Sequence, residues 1–292
     1  MRFVAFEDQG RSTIGVLDGD EVIPLKAADP ALPDNLVDLL HSDGTAFEYI
    51  EHAVKRAVTL QRHPLESLTF RPVSENAGKY FCLGLNYAAH ADEGGFEKPE
   101  SPTVFVRSAS SLVAHEQPLL LPQCTEQLDY EGELALIIGR AARRVPQARA
   151  LDYVAGYSCF NDASARDYQF KTTQWTLGKN FDATGGFGPM FVTADELPPG
   201  GAGLRLTTRL NGQVMQDADT ADMIFGVAET VSVLSQCCTL YPGDVIVMGT
   251  PAGVGFARKP PVWLQDGDQV EVEIEGIGTL RNPVRKDERD PA

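Results

Sequence analysis

Cysteine is scarce in this 292-residue chain: Cys82, Cys124, Cys159, Cys237 and Cys238, with no C-x-x-C spacing and one adjacent pair. An odd set without paired spacing fits neither a disulfide framework nor a zinc site. Most of the five lie among apolar neighbours, as small buried hydrophobes do. No N-x-S/T sequon occurs. Long apolar runs are missing as well. None approaches the ~18 residues of a membrane span, and the start, MRFVAFEDQGR, has no signal-peptide h-region. A cytoplasmic protein is the expectation. Positive charge is in deficit: 25 Lys and Arg against 41 Asp and Glu leave a net charge of −16. Nucleic-acid contact needs clustered cations to displace counterions, and an anionic membrane repels such a chain, so neither is an expected partner. Three signatures of nucleotide and serine chemistry are also absent: G-x-x-x-x-G-K-[ST], G-x-G-x-x-G after a strand, and G-x-S-x-G.

The length corresponds to roughly two domains at about 150 residues each, or one large domain with an appendage. Apolar residues at 43% and charged residues at 23% are ordinary for a globular chain. Residues 1–72 read as a small α+β module. RFVAFED and STIGVLDGDEVIPL are strand-like around an Asp18-Gly19 turn. LPDNLVDLL and the stretch Phe47–Leu60 carry helical apolar spacing. RHPLESLTFRPVSENAGK has the polar, Pro-containing character of a linker. Residues 73–292 are strand-rich, from KYFCLGL through LDYEGELALIIG and YSCFND to DQVEVEIEG, with Asn211-Gly212 and Asp266-Gly267 as turns. Two helices are expected, near Pro146–Val154 and Gly226–Leu240. Strands outnumber helices without alternating with them, so the chain is mixed α+β, mainly β, and not a doubly wound parallel sheet. The polar stretch Tyr168–Gly188, ending in glycines, is long enough for a mobile cover.

Carboxylates carry the strongest chemical signal. In Asp129-Tyr130-Glu131-Gly132-Glu133 the following apolar run implies a strand, which puts residues 131 and 133 on one face about 6.7 Å apart. Gly132 would leave the opposite face open. Asp162 ends a second strand-like run. Hard divalent cations take such oxygen donors; the same E-x-E is equally the solvated face of an edge strand. His90 and Glu93 are i, i+3 neighbours if a helix begins near Tyr87. A carboxylate holding one imidazole nitrogen leaves the other free to accept a proton, although a surface turn would show the same pair. Lys179, in the polar stretch, is suited to an oxyanion. Thr250, in the glycine-rich 249–255 segment, offers a hydroxyl to a carboxylate. Each of these is individually compatible with an ordinary surface role.

Their order along the chain is more telling. N-Y-x-x-H-x-x-E, P-T-V-F-x-R, E-x-E-L-A, N-D-x-[ST]-A-R-D-x-Q, a W/G-K segment and P-G-D-x-I-x-x-G-T-P-x-G-V-G, from about Lys79 to Val284, resemble the fumarylacetoacetate hydrolase (FAH) superfamily. That resemblance implies an FAH-type β-roll core behind a small N-terminal module, in a homodimer. It implies Glu131, Glu133 and Asp162 as ligands of Mg²⁺ or Mn²⁺, with Ca²⁺ as a further option. His90 and Glu93 would be a water-activating dyad on a segment that orders over the substrate. Lys179 would meet the substrate oxygens, and Arg166, Gln169 and Thr250 would contact substrate or shape its pocket. Arg107 stands where many members have lysine.

The implied substrate is a small keto acid. The implied reaction is hydrolysis of the C3–C4 bond of a 2,4-dioxo acid, an acylpyruvate or fumarylacetoacetate type, to pyruvate and a carboxylic acid. The same enolate chemistry supports two alternatives, oxaloacetate decarboxylation and 2-hydroxyhepta-2,4-diene-1,7-dioate isomerisation or decarboxylation. A non-catalytic cation-binding dimer is a further one.

Overall fold

The structure is a computed structural model that describes residues 1–42, 46–56 and 61–289. Its centre is the strand Gly132–Ile138, GELALII, buried at every position. A strand apolar on both sides belongs in the middle of a sheet covered on two faces. Leu134, Leu136 and Ile138 pack into one core with Leu206, Val272 and Leu280, while Ala135 and Ile137 pack into another with Phe3, Leu36 and Phe191. Each such side chain removed from water contributes roughly 1.5–3 kcal/mol.

The strand lies inside an eleven-stranded mixed sheet. Antiparallel Val154–Asp162 flanks it on one side and Val245–Val247 on the other. Tyr80–Gly84 and the edge strand Thr103–Val106 follow Val245–Val247. On the far side of Val154–Asp162 comes Gly185–Thr193, then the N-terminal strands Arg2–Asp8, Arg11–Asp18 and Glu21–Pro24. A five-stranded sheet covers one face, in the order Gln213–Asp219, Arg205–Leu210, Gln269–Ile274, Gly278–Lys286, Leu119–Leu121. The fold is therefore mixed and mainly β, as expected. The N-terminal strands extend the main sheet through Phe3 opposite Phe191.

Local chemistry explains the smaller elements. Asn35 caps the helix Leu36–His41, its side chain accepting the Asp38 N–H at 2.9 Å. Asn211-Gly212, both at positive φ, make the tight turn between Arg205–Leu210 and Gln213–Asp219. The helix expected over Phe47–Leu60 runs Ala46–Arg56; residues 57–60 lie outside the described residues. Val227–Cys237 is helical, and Gln147–Tyr153 is 3₁₀ rather than α.

Three expectations need correction. The segment following Arg62 is not a linker, because Phe70 and Val73 are buried and Phe70 bridges Phe6. The stretch Tyr168–Gly188 is not all cover, because Gly185–Gly188 open the fully buried strand Gly185–Thr193, where a Cβ on Gly186 would press on Asn282. Cys82 and Cys159 are buried, but Cys124 and Cys237 are exposed.

His115 marks the seam between the N-terminal segment and the rest. Its ring stands edge-on to Phe70 at 4.6 Å, and Nδ1 accepts the Arg281 N–H at 3.0 Å. Burial, seconded by Arg281, pushes the imidazole from 6.5 to about 4. The unfolded chain therefore binds this proton more readily than the folded one. Stability from this group is present above pH ~6.5 and lost as pH falls towards 4, by an amount of order 2 kcal/mol. His115→Asn keeps an acceptor for Arg281 without the titration. Urea unfolding between pH 7 and 4.5 should show a flatter pH dependence for the variant than for the wild type, whereas identical slopes would exclude His115 as the cause.

Candidate active site

Two adjacent strand ends bring the carboxylates together. Gly132 pairs with Asn161 and Glu133 with Phe160. One step further, the Asp162 N–H donates to the Glu131 carbonyl at 2.8 Å. Glu131 immediately precedes the central strand, Glu133 lies within it, and Asp162 closes its neighbour. Their oxygens lie within 4.8 Å of one another and all three residues are buried. This is no solvated edge. Nor does Gly132 leave its other face open: a Cβ there would collide with Thr208 Oγ1 of the second sheet.

Charges this close repel by roughly 4 kcal/mol per pair at 4 Å and an effective dielectric of ~20, so compensation is required. Lys179 Nζ lies 2.6 Å from Glu131 Oε2 and 2.7 Å from Asp162 Oδ2. Arg166 Nη1 lies 2.6 Å from Glu131 Oε1, and its Nε donates to Asp129 Oδ2 at 2.9 Å. Arg107, buried, pairs with Asp162 and donates to Thr184 Oγ1 at 2.7 Å and Ser111 Oγ at 3.1 Å. It is thus a clamp on Asp162. Burial alone would raise the Glu131 carboxyl, but Arg166 and Lys179 overcome it and hold the group at about 2. Glu133 goes the other way, pushed well above the usual range by burial and by repulsion from Asp162 and Glu131. Among the described residues it has no ion pair, only the Gly249 N–H at 2.5 Å. Three hard oxygens, one lacking a cationic partner, form a donor set that fits a small divalent ion.

The His90–Glu93 pair forms as expected on the helix Ala88–Gly94. His90 Nδ1 is 2.9 Å from Glu93 Oε1. Both Glu93 oxygens also accept the Gly253 N–H, at 3.0 and 2.9 Å. That bond belongs to a pattern. The 249–256 segment aims backbone N–H groups at three separate carboxylates: Gly249 at Glu133, Gly253 at Glu93, and Gly255 and Phe256 at Asp129, the last two at 2.7 and 3.0 Å. Its glycines are steric requirements. Gly253 has φ +107, and a Cβ would strike the Met215 carbonyl; one on Gly255 would strike Val262. Thr250 turns inward too, donating to the Gly132 carbonyl at 3.0 Å and accepting from Gln216 at 2.7 Å.

Every residue picked from the sequence except Glu93 and Asp162 lines one pocket: His90, Glu131, Glu133, Arg166, Gln169, Lys179 and Thr250. Those two sit directly behind it through His90 and Lys179. Its apolar wall includes Phe96, Phe105, Trp175 and Phe256. The enclosed cavity is about 20 Å³, room for about one water. Sequence reasoning missed Asp129, Gln216 and the clamp by Arg107. Asp129 stands two residues before Glu131 and repeats the E-x-E spacing, which was a readable signal. Gln216 offered none.

A mainly β fold with three convergent carboxylates and a carboxylate-backed histidine at one pocket is the architecture of a family of enzymes. The model of the Fumarylacetoacetate (FAA) hydrolase C-terminal family matches residues 79–285, and the chain belongs to that family. A Rattus norvegicus protein named oxaloacetate tautomerase Fahd2a, mitochondrial, is 38% identical over 267 residues, 91% of this chain and 84% of its own length. Among solved structures, a putative HpcE protein from Mycobacterium smegmatis superposes with a TM-score of 0.87 at 32% identity, covering 99% of this chain and 100% of the other. Maleylpyruvate hydrolase from Sphingobium sp. SYK-6, solved with manganese(II) and pyruvate, superposes at 0.82 with 29% identity, again 99% and 100%. Among the described residues no helix is long and apolar enough to cross a membrane.

Two substitutions separate the ion site from the dyad. Glu131→Gln should weaken Mn²⁺ binding more than about tenfold in calorimetry, and unchanged binding would reject Glu131 as a ligand. Gly253→Ala should leave Mn²⁺ affinity within about twofold while kcat falls at least about tenfold, because Glu93 loses its donor. A parallel loss of metal would show that the loop supports both sites inseparably.

Proposed function

We propose that this protein is a divalent-metal-dependent enzyme that interconverts the keto and enol forms of a small 2-oxo acid, with oxaloacetate as its substrate. One observation carries this: Glu131, Glu133, Lys179 and the Glu93-backed His90 line a single pocket, with Asp162 directly behind it on Lys179. The 38% identity to a protein named oxaloacetate tautomerase, spanning 91% of this chain, supports the choice of reaction.

Glu131, Glu133 and Asp162 would hold Mg²⁺ or Mn²⁺, which when bound supplies Lewis-acid polarisation of the acid's carboxylate and 2-oxo oxygens. The remaining work falls to side chains. With Nδ1 engaged by Glu93, His90 has Nε2 available to remove a proton from C3 and to return one. Lys179, an ammonium beside the trio, supports the negative charge that develops on the 2-oxo oxygen. Gln169 gives its carbonyl oxygen to Arg166 at 2.9 Å, which leaves its amide hydrogens for the substrate's second carboxylate. Phe96, Phe105 and Phe256 keep bulk water from the enol.

The His90–Glu93 geometry favours a second reading, hydrolysis of a 2,4-dioxo acid. Here His90 takes the proton from water, the resulting oxygen bonds to C4, the C3–C4 bond breaks, and its electron pair leaves as the enolate of pyruvate. The likeness to a maleylpyruvate hydrolase supports it. The two reactions share the enolate and differ in whether water is activated.

A single set of assays decides between them. With Mg²⁺, the enzyme should accelerate loss of oxaloacetate enol absorbance without releasing pyruvate, and His90→Ala should slow this about 100-fold or more. Faster pyruvate release from acylpyruvates than enol interconversion would establish the hydrolase instead. Full activity in His90→Ala would exclude it as the proton carrier.

A further inference from the structure

From Phe170 to Leu177 the chain runs along the surface, and within it the half-buried Trp175 joins the exposed Phe170 in lining the pocket. Its indole lies over Gly84, where a Cβ would collide with Cζ3 and stand 2.6 Å from Cη2. Phe105 meets the same ring edge-on, with centroids 5.6 Å apart at 68°. Trp175 is also tied to the chemistry: the short helix Thr176–Lys179 follows it directly and delivers Lys179 to Glu131 and Asp162. Gly178, in that helix, packs so closely on Gln169 that a Cβ would stand 2.5 Å from its backbone nitrogen. The indole is therefore held at a set distance from the polar end of the pocket. Gly84 supplies the notch that holds it.

A 2-oxo acid with its carboxylate and 2-oxo oxygens at the polar end beside Lys179 directs its remaining substituent toward the rest of the lining, where Gln169 can meet a short substituent's carboxylate and Trp175 and Phe105 bound the space beyond. Trp175 is part of that lining, packed against Phe105, and the free space within the pocket is only about 20 Å³. We propose that Trp175 sets the size of 2-oxo acid the site accepts, favouring short acids over those with a bulky substituent, with Gly84 as the residue that makes space for the ring. This rests on the reading that the pocket takes a 2-oxo acid. Small steric differences in an apolar pocket discriminate by about 10–200-fold, which sets the scale of the effect.

The test measures binding of pyruvate, 2-oxobutanoate and phenylpyruvate to the Mn²⁺-loaded enzyme by calorimetry, with thermal melts as a check on folding. The wild type should bind the two short acids and disfavour phenylpyruvate at least tenfold. Trp175→Ala should tighten phenylpyruvate at least tenfold and leave pyruvate within about threefold, with Trp175→Phe between them. The Phe variant carries the comparison if the Ala variant is unstable. Gly84→Ala, which dislodges the ring, should shift selectivity the same way and add nothing to Trp175→Ala in the double variant. Short acids bound with unchanged selectivity in Trp175→Ala and Trp175→Phe would overturn the role of Trp175 alone. A wild type that binds none of the three would overturn the functional reading and this inference with it.

Discussion

Buried negative charge is the constraint around which this molecule is arranged. Asp129, Glu131, Glu133 and Asp162 are all inside the protein, and Arg107, Arg166 and Lys179 are the buried cations paired among them. Fully ionised, four carboxylates and three cations leave one negative charge. Burial and repulsion push the Glu133 carboxyl upwards, so that without a further cation it is the member that keeps a proton, while its neighbour Glu131 is held down. Such an imbalance is costly in a low-dielectric interior. A divalent ion reverses its sign and leaves one positive charge, suited to an anionic acid.

The rest of the fold keeps these groups from moving apart. The paired strand ends set the spacing of Glu131 and Asp162 through a backbone hydrogen bond. The 249–256 segment orients Glu133, Glu93 and Asp129 from one short stretch of main chain. Backbone donors have no rotamers to lose, so the carboxylate cluster and the His90–Glu93 pair are held in one frame at little entropic cost. Close backbone approach explains why the segment is built of glycine: side chains at 253 and 255 would strike neighbouring carbonyls. Arg107 acts similarly on Asp162, with its remaining donors taken by Thr184 and Ser111.

Much of this was legible in the chain. The apolar run after Glu133 announced a strand, and E-x-E with Asp162 announced the carboxylates. The His90–Glu93 spacing produced the hydrogen bond it implied. What could not be read depended on contacts between remote segments. Gly132 looked like open space because its neighbour, Thr208, lies on a different sheet. The 249–255 segment read as a glycine-rich turn offering Thr250 to a carboxylate, and nothing local reveals that one of its N–H groups reaches Glu93, 160 residues away. Gly185–Gly188 read as the end of a mobile cover because they follow a polar stretch, whereas tertiary packing here places them in a buried strand.

The most direct experiment is an anomalous-scattering crystal structure of the protein grown with Mn²⁺. A single strong peak ligated by Glu131, Glu133 and Asp162 is the outcome that the charge imbalance at Glu133 demands. A protein without manganese at that position, its three carboxylates satisfied by Lys179 and the two arginines alone, would contradict it.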